Sequence, residues 1–233
     1  MSHLLYPALC AACEQPLSAG TLYFCAQCRH ALITDRFATC PRCAGTVGPF
    51  TDQATDCLHC RGAAFSFEKV LRLGPYEDLL RELIIRLKYP AGEMLAEVLG
   101  RLWAEHAEQR LRSVQAAVVV PIPLHWRRRW ERGFNQSAIL AHSLARRLGL
   151  PCRPNWLRRT RYTAKQTLGS LAERRDNVRG AFRAVPGSHG KDQAVLLVDD
   201  VMTTGSTVDA AARALRQAGA RRVVVAVLAR ATG

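Results

Sequence analysis

Two groups of residues in this 233-residue chain have types and spacings suited to chemistry. The first lies in VLLVDDVMTTGST, from Val195 to Thr207. Four apolar residues, Val195 to Val198, predict a short buried strand, and two adjacent carboxylates follow, Asp199 and Asp200. Val201 then leads to Thr203, Thr204, Gly205, Ser206 and Thr207, a run of hydroxyl side chains around one glycine. A helical pattern begins at once and stops at Gly219, the residue type expected just past a helix C-terminus. Backbone N–H groups at such a helix start, with the Thr and Ser hydroxyls, suit a phosphate, and neighbouring carboxylates suit a pair of sugar hydroxyls. An ordinary capped turn would also use Thr and Ser. Two acids in a row after a buried strand are harder to explain that way, because they repel each other and gain nothing from a core. The stretch is not a P-loop, since no lysine follows the glycine.

The second group is cysteine. Eight of nine cysteines form four CxxC pairs: Cys10/Cys13, Cys25/Cys28, Cys40/Cys43 and Cys57/Cys60. Each pair places two thiolates on one tight turn, and two such turns complete a tetrahedral zinc site. Sequential pairing is the simplest arrangement, giving one site from the first two pairs and another from the last two; crossed pairing of alternate motifs stays open. All-cysteine sites leave no position for water or substrate, so two structural zinc ions are expected. About sixty residues with few large apolar side chains would struggle to fold without them. A disulfide framework does not suit a reducing compartment. His30 and His59 read as bystanders, and Cys152 as a small buried apolar residue.

The elements that must hold these groups follow from composition and periodicity. A boundary at Gly62 to Ser66 divides residues 1–62, a double zinc ribbon, from residues 63–233, an α/β domain. FEKVLRLGPY reads as a strand and turn. Helices are predicted at Glu77 to Lys88, Gly92 to Leu111 and Asn135 to Leu148, the last closed by Gly149. Ala116 to Val120 is a buried strand, and two more fall near Trp156 to Thr160 and Arg222 to Leu228. This alternation indicates a mainly parallel sheet flanked by helices, with the acid pair and its loop at the carboxyl end of a strand, where ligands bind. Hydrophobic content is 48%, and no apolar run approaches membrane-spanning length. MSHLLYPALCAAC has neither the charged nor the long apolar region of a signal peptide, so the expected location is cytoplasmic, without membrane insertion.

Charge is uneven. The formal net charge is +14, and Ile122 to Ala184 holds fifteen Arg or Lys against three acids. Arg127, Arg128, Arg129 and Arg132 form one cluster; Arg158, Arg159, Arg161 and Lys165 a second; Arg174, Arg175, Arg179 and Arg183 a third. Such concentration suits a polyanion, either a multiply phosphorylated sugar or a nucleic-acid backbone. Trp126, Trp130, Phe134, Trp156 and Tyr162 interleave with the cations and could stack single-stranded bases. Phe134 and Trp156 fit a core better; the RRRW cluster does not.

Val195 to Thr207 resembles the motif that binds 5-phosphoribosyl-1-pyrophosphate (PRPP) in type I phosphoribosyltransferases. That resemblance implies ribose hydroxyls on Asp199 and Asp200 and the 5′-phosphate on the loop from Val201 through Thr207. PIPLHWRRRWERGFNQSAILA, from Pro121 to Ala141, is similar to the ComF/GntX family of competence-type proteins. So are LIIRLKY (Leu83 to Tyr89), the doubled cysteine pattern, and Thr163, Lys165, Gln166, Leu168, Arg174, Asn177, Gly180, Ala181 and Phe182. The resemblance spans nearly the whole chain and implies a type I phosphoribosyltransferase fold with a small N-terminal double zinc ribbon. It implies Mg²⁺ with PRPP, pyrophosphate received after the Ala116–Val120 strand, and a closing loop from Arg161 to Ser170 with Lys165 as catalytic cation. Pro121 and Pro123 lack the N–H groups that a pyrophosphate loop normally offers, so Arg127, Arg128, Arg129 and Arg132 would supply donors to phosphate. No glutaminase segment is evident, so glutamine-dependent amidotransfer is not expected. Two functions fit. One is ribosyl phosphate transfer to an unspecified acceptor. The other is a non-catalytic factor of DNA uptake that engages single-stranded DNA or a helicase on the same scaffold.

Overall fold

In the computed structural model of this protein, residues 8–48, 57–89, 92–161, 180–185 and 192–231 are described. Runs of valine, leucine and alanine build the centre. Strands β1 (Val70–Pro75), β2 (Val118–Pro121), β5 (Ala194–Met202) and β6 (Arg222–Arg230) form one parallel sheet in the order β1-β6-β5-β2. β5 and β6 are buried on both faces, which is why their sequences are continuously apolar instead of alternating. Leu196, Val198, Val224, Ala226 and Leu228 point to one face; Val195, Leu197, Val223, Val225 and Val227 point to the other.

Helices α2 (Asp78–Arg86), α3 (Gly92–His106) and α6 (Gln136–Leu148) cover the first face through Leu83, Leu99, Trp103, Leu140 and Leu144. α3 and α6 approach closely at Gly100, where a Cβ would lie 2.7 Å from Ser143 Oγ. Helix α7 (Ser206–Gln217) covers the second face with Val208, Ala211, Ala212 and Leu215. Beside α7 lies a two-stranded antiparallel pair, β3 (Leu157–Arg159) and β4 (Phe182–Ala184). Among the described residues, no helix is long and apolar enough to cross a membrane.

Five elements depart from the sequence expectation. The single helix foreseen from Gly92 to Leu111 breaks at Ala107 into α3 and α4 (Glu108–Arg112). Glu108 pairs with both Arg112 and Arg147, and Arg112 donates to Leu148 O and Arg147 O, which draws this last turn onto the end of α6. The strand near Trp156 does not join the main sheet but pairs with β4, too short to read from sequence. β5 continues past Val198 to Met202, because β6 pairs with it along its whole length, Asp199 opposite Val227 and Met202 opposite Arg230. Helices α1 (Ala26–Ile33) and α5 (Trp126–Arg132) were also not evident.

The two cysteine ribbons straddle edge strand β1. Cys10, Phe24, Cys28 and Leu32 pack into the core on the α3 and α6 face, while Cys40, Cys43, Ala44 and Cys57 pack into the core on the α7 face. Arg72 of β1 fixes the crossing. Its buried guanidinium donates from Nε and Nη2 to the Asp35 carboxylate at 2.8 and 3.0 Å, and from Nη1 to Ala44 O and Thr46 Oγ1.

Candidate ligand site and metal centres

The cysteines gather in sequential pairs. Cys10, Cys13, Cys25 and Cys28 bring their sulfurs within 4.8 Å of one another, and so do Cys40, Cys43, Cys57 and Cys60. Crossed pairing is not what the fold adopts. Neighbouring sulfurs lie 3.9 Å apart for Cys13 and Cys25, 3.7 Å for Cys40 and Cys60, and 3.6 Å for Cys43 and Cys57. Four thiolates held about 2.3 Å from a tetrahedral zinc ion would be about 3.8 Å apart, so spacing and donor type are compatible with two structural zinc ions. A disulfide would need about 2 Å. Burial pushes the Cys43 thiol up to about 11, so a cation is needed to keep four thiolates together there.

Each first knuckle has the same backbone device. Glu14 N donates to Cys10 O and Cys10 N to Gln15 O; Ala44 N donates to Cys40 O and Cys40 N to Gly45 O, all at 2.9 Å. Glu14 and Ala44 both take positive φ to make the turn. The second halves differ: Cys25 caps α1 by accepting the Cys28 N–H on its sulfur, whereas Cys57 to Cys60 is a plain turn.

At the carboxyl end of β5 the acid pair sits within the strand, not in the loop after it, each residue only 8% exposed. Helix α6 meets both acids. Ser137 Oγ donates to Asp199 Oδ1 at 2.8 Å and Gln136 Nε2 donates to Asp200 Oδ2 at 3.1 Å. The backbone closes over them, with Asp200 N on Asp199 Oδ1 and Val201 N on Asp200 Oδ1. Asn135 makes this possible: its Oδ1 accepts Ser137 N, capping α6, while its Nδ2 donates to Ile122 O and fastens the helix start to the end of β2. Burial, reinforced by the Asp200 charge and opposed by the Ser137 hydroxyl, raises the Asp199 carboxyl to about 8.

The turn to α7 contains Thr203, Thr204 and Gly205. Thr204 Oγ1 and Ser206 Oγ are 2.8 Å apart, and Ser206 N donates to Thr204 Oγ1. Gly205 takes φ +83°, and a Cβ there would lie 2.7 Å from Met202 Cε. The N-cap residue of α7 is Gly205, which offers no side chain, so the N–H groups after Ser206 and the hydroxyls of Thr204, Ser206 and Thr207 form the mouth of the helix.

Helix α5 opens the loop after β2. His125, buried, caps it by accepting Arg127 N. Burial first, then the Arg159, Arg127 and Arg128 charges, lower the His125 pKa and favour the neutral ring. None of the α5 residues is buried; Trp126 and Trp130 are 65% and 85% exposed, with the Arg127 guanidinium 5.2 Å over the Trp126 ring. Arg132 behaves differently from its neighbours. It donates from Nη1 to Gln136 Oε1 at 2.5 Å and joins the acid pair through that amide. Trp156 is partly buried and packs against the core on the α7 face, and Phe134 is partly buried. Cys152 is also half-buried, and burial pushes its thiol up to about 11.

Residues 135–232 match the phosphoribosyl transferase domain family. Over 97% of its length the chain is 35% identical to the DNA utilization protein YhgH of Escherichia coli strain K12, spanning 99% of that protein. It is 31% identical to Competence protein F of Haemophilus influenzae, over 95% of this chain and 96% of the relative. The chain belongs to the ComF family. Among solved structures, the glutamine PRPP amidotransferase of Bacillus subtilis, complexed with ADP and GMP, aligns with TM-score 0.43 and 26% identity. That alignment covers 62% of this chain and 30% of the enzyme. The architecture of this ComF-family member is the phosphoribosyltransferase fold, a parallel sheet flanked by helices, carrying two four-cysteine centres at its N-terminal side.

Sequence reasoning missed several residues of this ComF-family site. Gln136 and Ser137 lie inside the FNQSA stretch, and their signal was position, two and three residues after Phe134 at a helix start. Arg230 gives little signal in one dimension, since it stands at a strand end among many arginines. Lys165 and the other expected residues from Thr163 to Asn177 lie outside the described residues, as does most of the expected closing loop.

Proposed function

We propose that this ComF-family chain binds PRPP with Mg²⁺ at the carboxyl end of β5 and serves the handling of DNA in uptake and use. The observation that carries the reading is the acid pair: two adjacent carboxylates, drawn into the sheet and oriented by Ser137 and Gln136, directly before a hydroxyl-lined helix start. Asp199 and Asp200 would accept hydrogen bonds from the ribose 2′- and 3′-hydroxyls. Val201, Thr203, Thr204, Gly205, Ser206 and Thr207 would surround the 5′-phosphate with backbone N–H and hydroxyl donors. Mg²⁺, when bound with PRPP, neutralises pyrophosphate charge. Arg127, Arg128 and Arg129 would supply phosphate contacts from α5, while Arg132 bonds Gln136, and Lys165 would bring a further cation. Displacement at ribose C1 would break the bond to pyrophosphate and form one to an acceptor whose class is left open. A working division falls at residues 62 and 63, with the cysteine ribbons before it and the phosphoribosyltransferase-like part after. The reading puts the protein in the cytoplasm, which the lack of signal-peptide features in MSHLLYPALCAAC supports.

One observation favours a second reading. Trp126 and Trp130 are highly exposed on a helix whose other residues include four arginines, a combination suited to stacking and phosphate contact with single-stranded DNA, or to docking a helicase. Binding of that kind falls steeply with salt, whereas an enclosed PRPP site loses less.

Calorimetric titration with PRPP and Mg²⁺, on the wild type and on Asp199→Asn with Asp200→Asn, tests the first reading. Binding in the wild type and its loss in the folded variant support it. Equal affinity in both, or none in either, overturns it and leaves the scaffold reading in the lead.

A further inference from the structure

Arg230 ends β6 with a side chain only 1% exposed. Its donors go to backbone carbonyls on two separate parts of the molecule. Nε donates to Cys43 O at 3.2 Å, and Nη1 donates to Met202 O at 3.2 Å and also to Thr203 O and Ala231 O. One guanidinium therefore ties the second cysteine knuckle to the residues that open the turn before α7. A second tie runs in parallel. Arg42, between Cys40 and Cys43, lies 5.3 Å over the Phe65 ring, and Phe65 reaches the place where a Gly205 Cβ would stand, at 3.6 Å. Ser66 N then donates to Asp209 Oδ1 in the first turn of α7 at 2.6 Å.

The charge of Arg230 needs an opposite partner, because a buried ion left without countercharge is strongly unfavourable. Arg72, on the neighbouring strand, brings a second buried guanidinium to the same knuckle through Ala44 O. No carboxylate among the described residues pairs with it. Four thiolates around one zinc ion form a net dianion, which is the countercharge the site otherwise lacks. Among the described residues, the first cysteine centre shows no such link, since it packs on the opposite face of the sheet.

We infer that the Cys40, Cys43, Cys57 and Cys60 centre, acting through Arg230, holds the Met202 and Thr203 backbone and so positions the phosphate-binding turn, while the Cys10, Cys13, Cys25 and Cys28 centre does not. The inference rests on the phosphate reading given above. Arg230 is a positioning residue that touches no ligand. The dependence is one-sided: loss of metal from the second ribbon loosens the turn, and loss from the first leaves it in place.

Hydrogen–deuterium exchange across residues 203–209 tests this on the full zinc-loaded chain without PRPP. Zinc content and PRPP affinity are measured in parallel. Arg230→Gln should keep both metals, speed exchange in that segment by about tenfold, and leave exchange in α3 and α6 unchanged. PRPP affinity should fall by about tenfold with it. Cys60→Ser should have the same selective effect, and Cys13→Ser should not. Unchanged exchange in Arg230→Gln, or equal effects of the two cysteine variants, would overturn the inference. Should Arg230→Gln fail to fold, the two cysteine variants decide the matter. Should the wild type bind no PRPP, the phosphate reading fails, while the exchange comparison still shows whether the second ribbon holds the turn.

Discussion

The two cysteine ribbons use one local device for two purposes. Both begin with a CxxC knuckle closed by the same pair of backbone hydrogen bonds and a positive-φ residue. What separates them is the face of the sheet each covers. The first lies against α2 and α3, with Cys13 exposed, and its named polar ties to the domain are largely at the surface: Arg86 to Ala12 O and Arg101 to Tyr23. The second is sunk into the α7 side, Cys43 fully buried, with Arg72 and Arg230 bonded to its backbone from inside. Local sequence thus sets how a knuckle is built, and tertiary placement sets what it can influence. A ribbon wired to the end of β6 can act on ligand binding; a ribbon resting on distant helices mainly adds stability.

The comparison breaks most readily at the crossing between the ribbons. Asp35→Ala leaves the Arg72 guanidinium buried without its carboxylate. Removing one partner of such a pair costs roughly 3 kcal/mol, the low end because Asp35 keeps some exposure. Urea unfolding should show that loss, while Arg72→Met, which removes the charge altogether, should cost less. Equal costs would mean that Arg72 acts by packing alone.

A sharper test uses pH. The Asp199 carboxyl is raised to about 8 by burial on the sheet and by Asp200, not by either ribbon. If Asp199 holds a ribose hydroxyl as proposed, the ionised carboxylate is much the stronger acceptor, so PRPP affinity should rise by about tenfold between about pH 7 and pH 9. Stability should move the other way. The folded state holds this proton above the pH at which an unfolded aspartate releases it, so its stabilising contribution is complete below about pH 4 and is lost as pH rises through about 8. Asp199→Asn should therefore raise Tm relative to wild type at pH 9 and flatten the pH dependence. Metal loss from the first ribbon should leave both profiles unchanged; a shift would show that the ribbon reaches the site.

Metal release should separate the ribbons further. A chelator meets exposed Cys13 at the first centre but three buried sulfurs at the second. The first zinc should leave faster, by on the order of tenfold. Release followed by a thiolate-sensitive dye, with Cys13→Ser marking the first phase, would show this. Equal rates would mean that the centres open together.

Much of this was legible in the chain because it was local. CxxC spacing, the helix from Asn135 to Gly149 and the apolar runs of β5 and β6 are determined within a few residues, and each was read correctly. Pairing of the knuckles could be ranked but not fixed, since both arrangements satisfy the same spacing. What escaped depends on contacts distant in sequence. Asp200 and Gln136 are 64 positions apart, and Arg230 and Cys43 are 187 apart. Nothing in RVVVAVLAR marks its last arginine as buried. The acids were expected in a loop because charge after a buried strand usually ends it; β6 kept them in the sheet and α6 supplied their donors. The single long helix after Gly92 failed for a similar reason, since its break is set by Arg147 on another helix.

The smallest effect lies where the first ribbon touches α3. Arg101 donates to Tyr23 Oη at 2.9 Å, stacks 5.6 Å from that ring and pairs with Glu97 one turn earlier. By number of contacts this looks like an anchor, yet all three groups are at the surface, where water competes for each interaction and the ordering of long side chains offsets the gain. Arg101→Ala should therefore shift Tm by no more than about 2 °C and leave zinc content at both centres intact. Cys10 and Phe24 explain why: the first ribbon is held by apolar burial against α2 and α3, which the substitution does not touch. A drop of about 10 °C, or loss of the first metal, would mean that the surface contacts hold the ribbon in place. The contrast with the second ribbon would then be one of degree, not of kind.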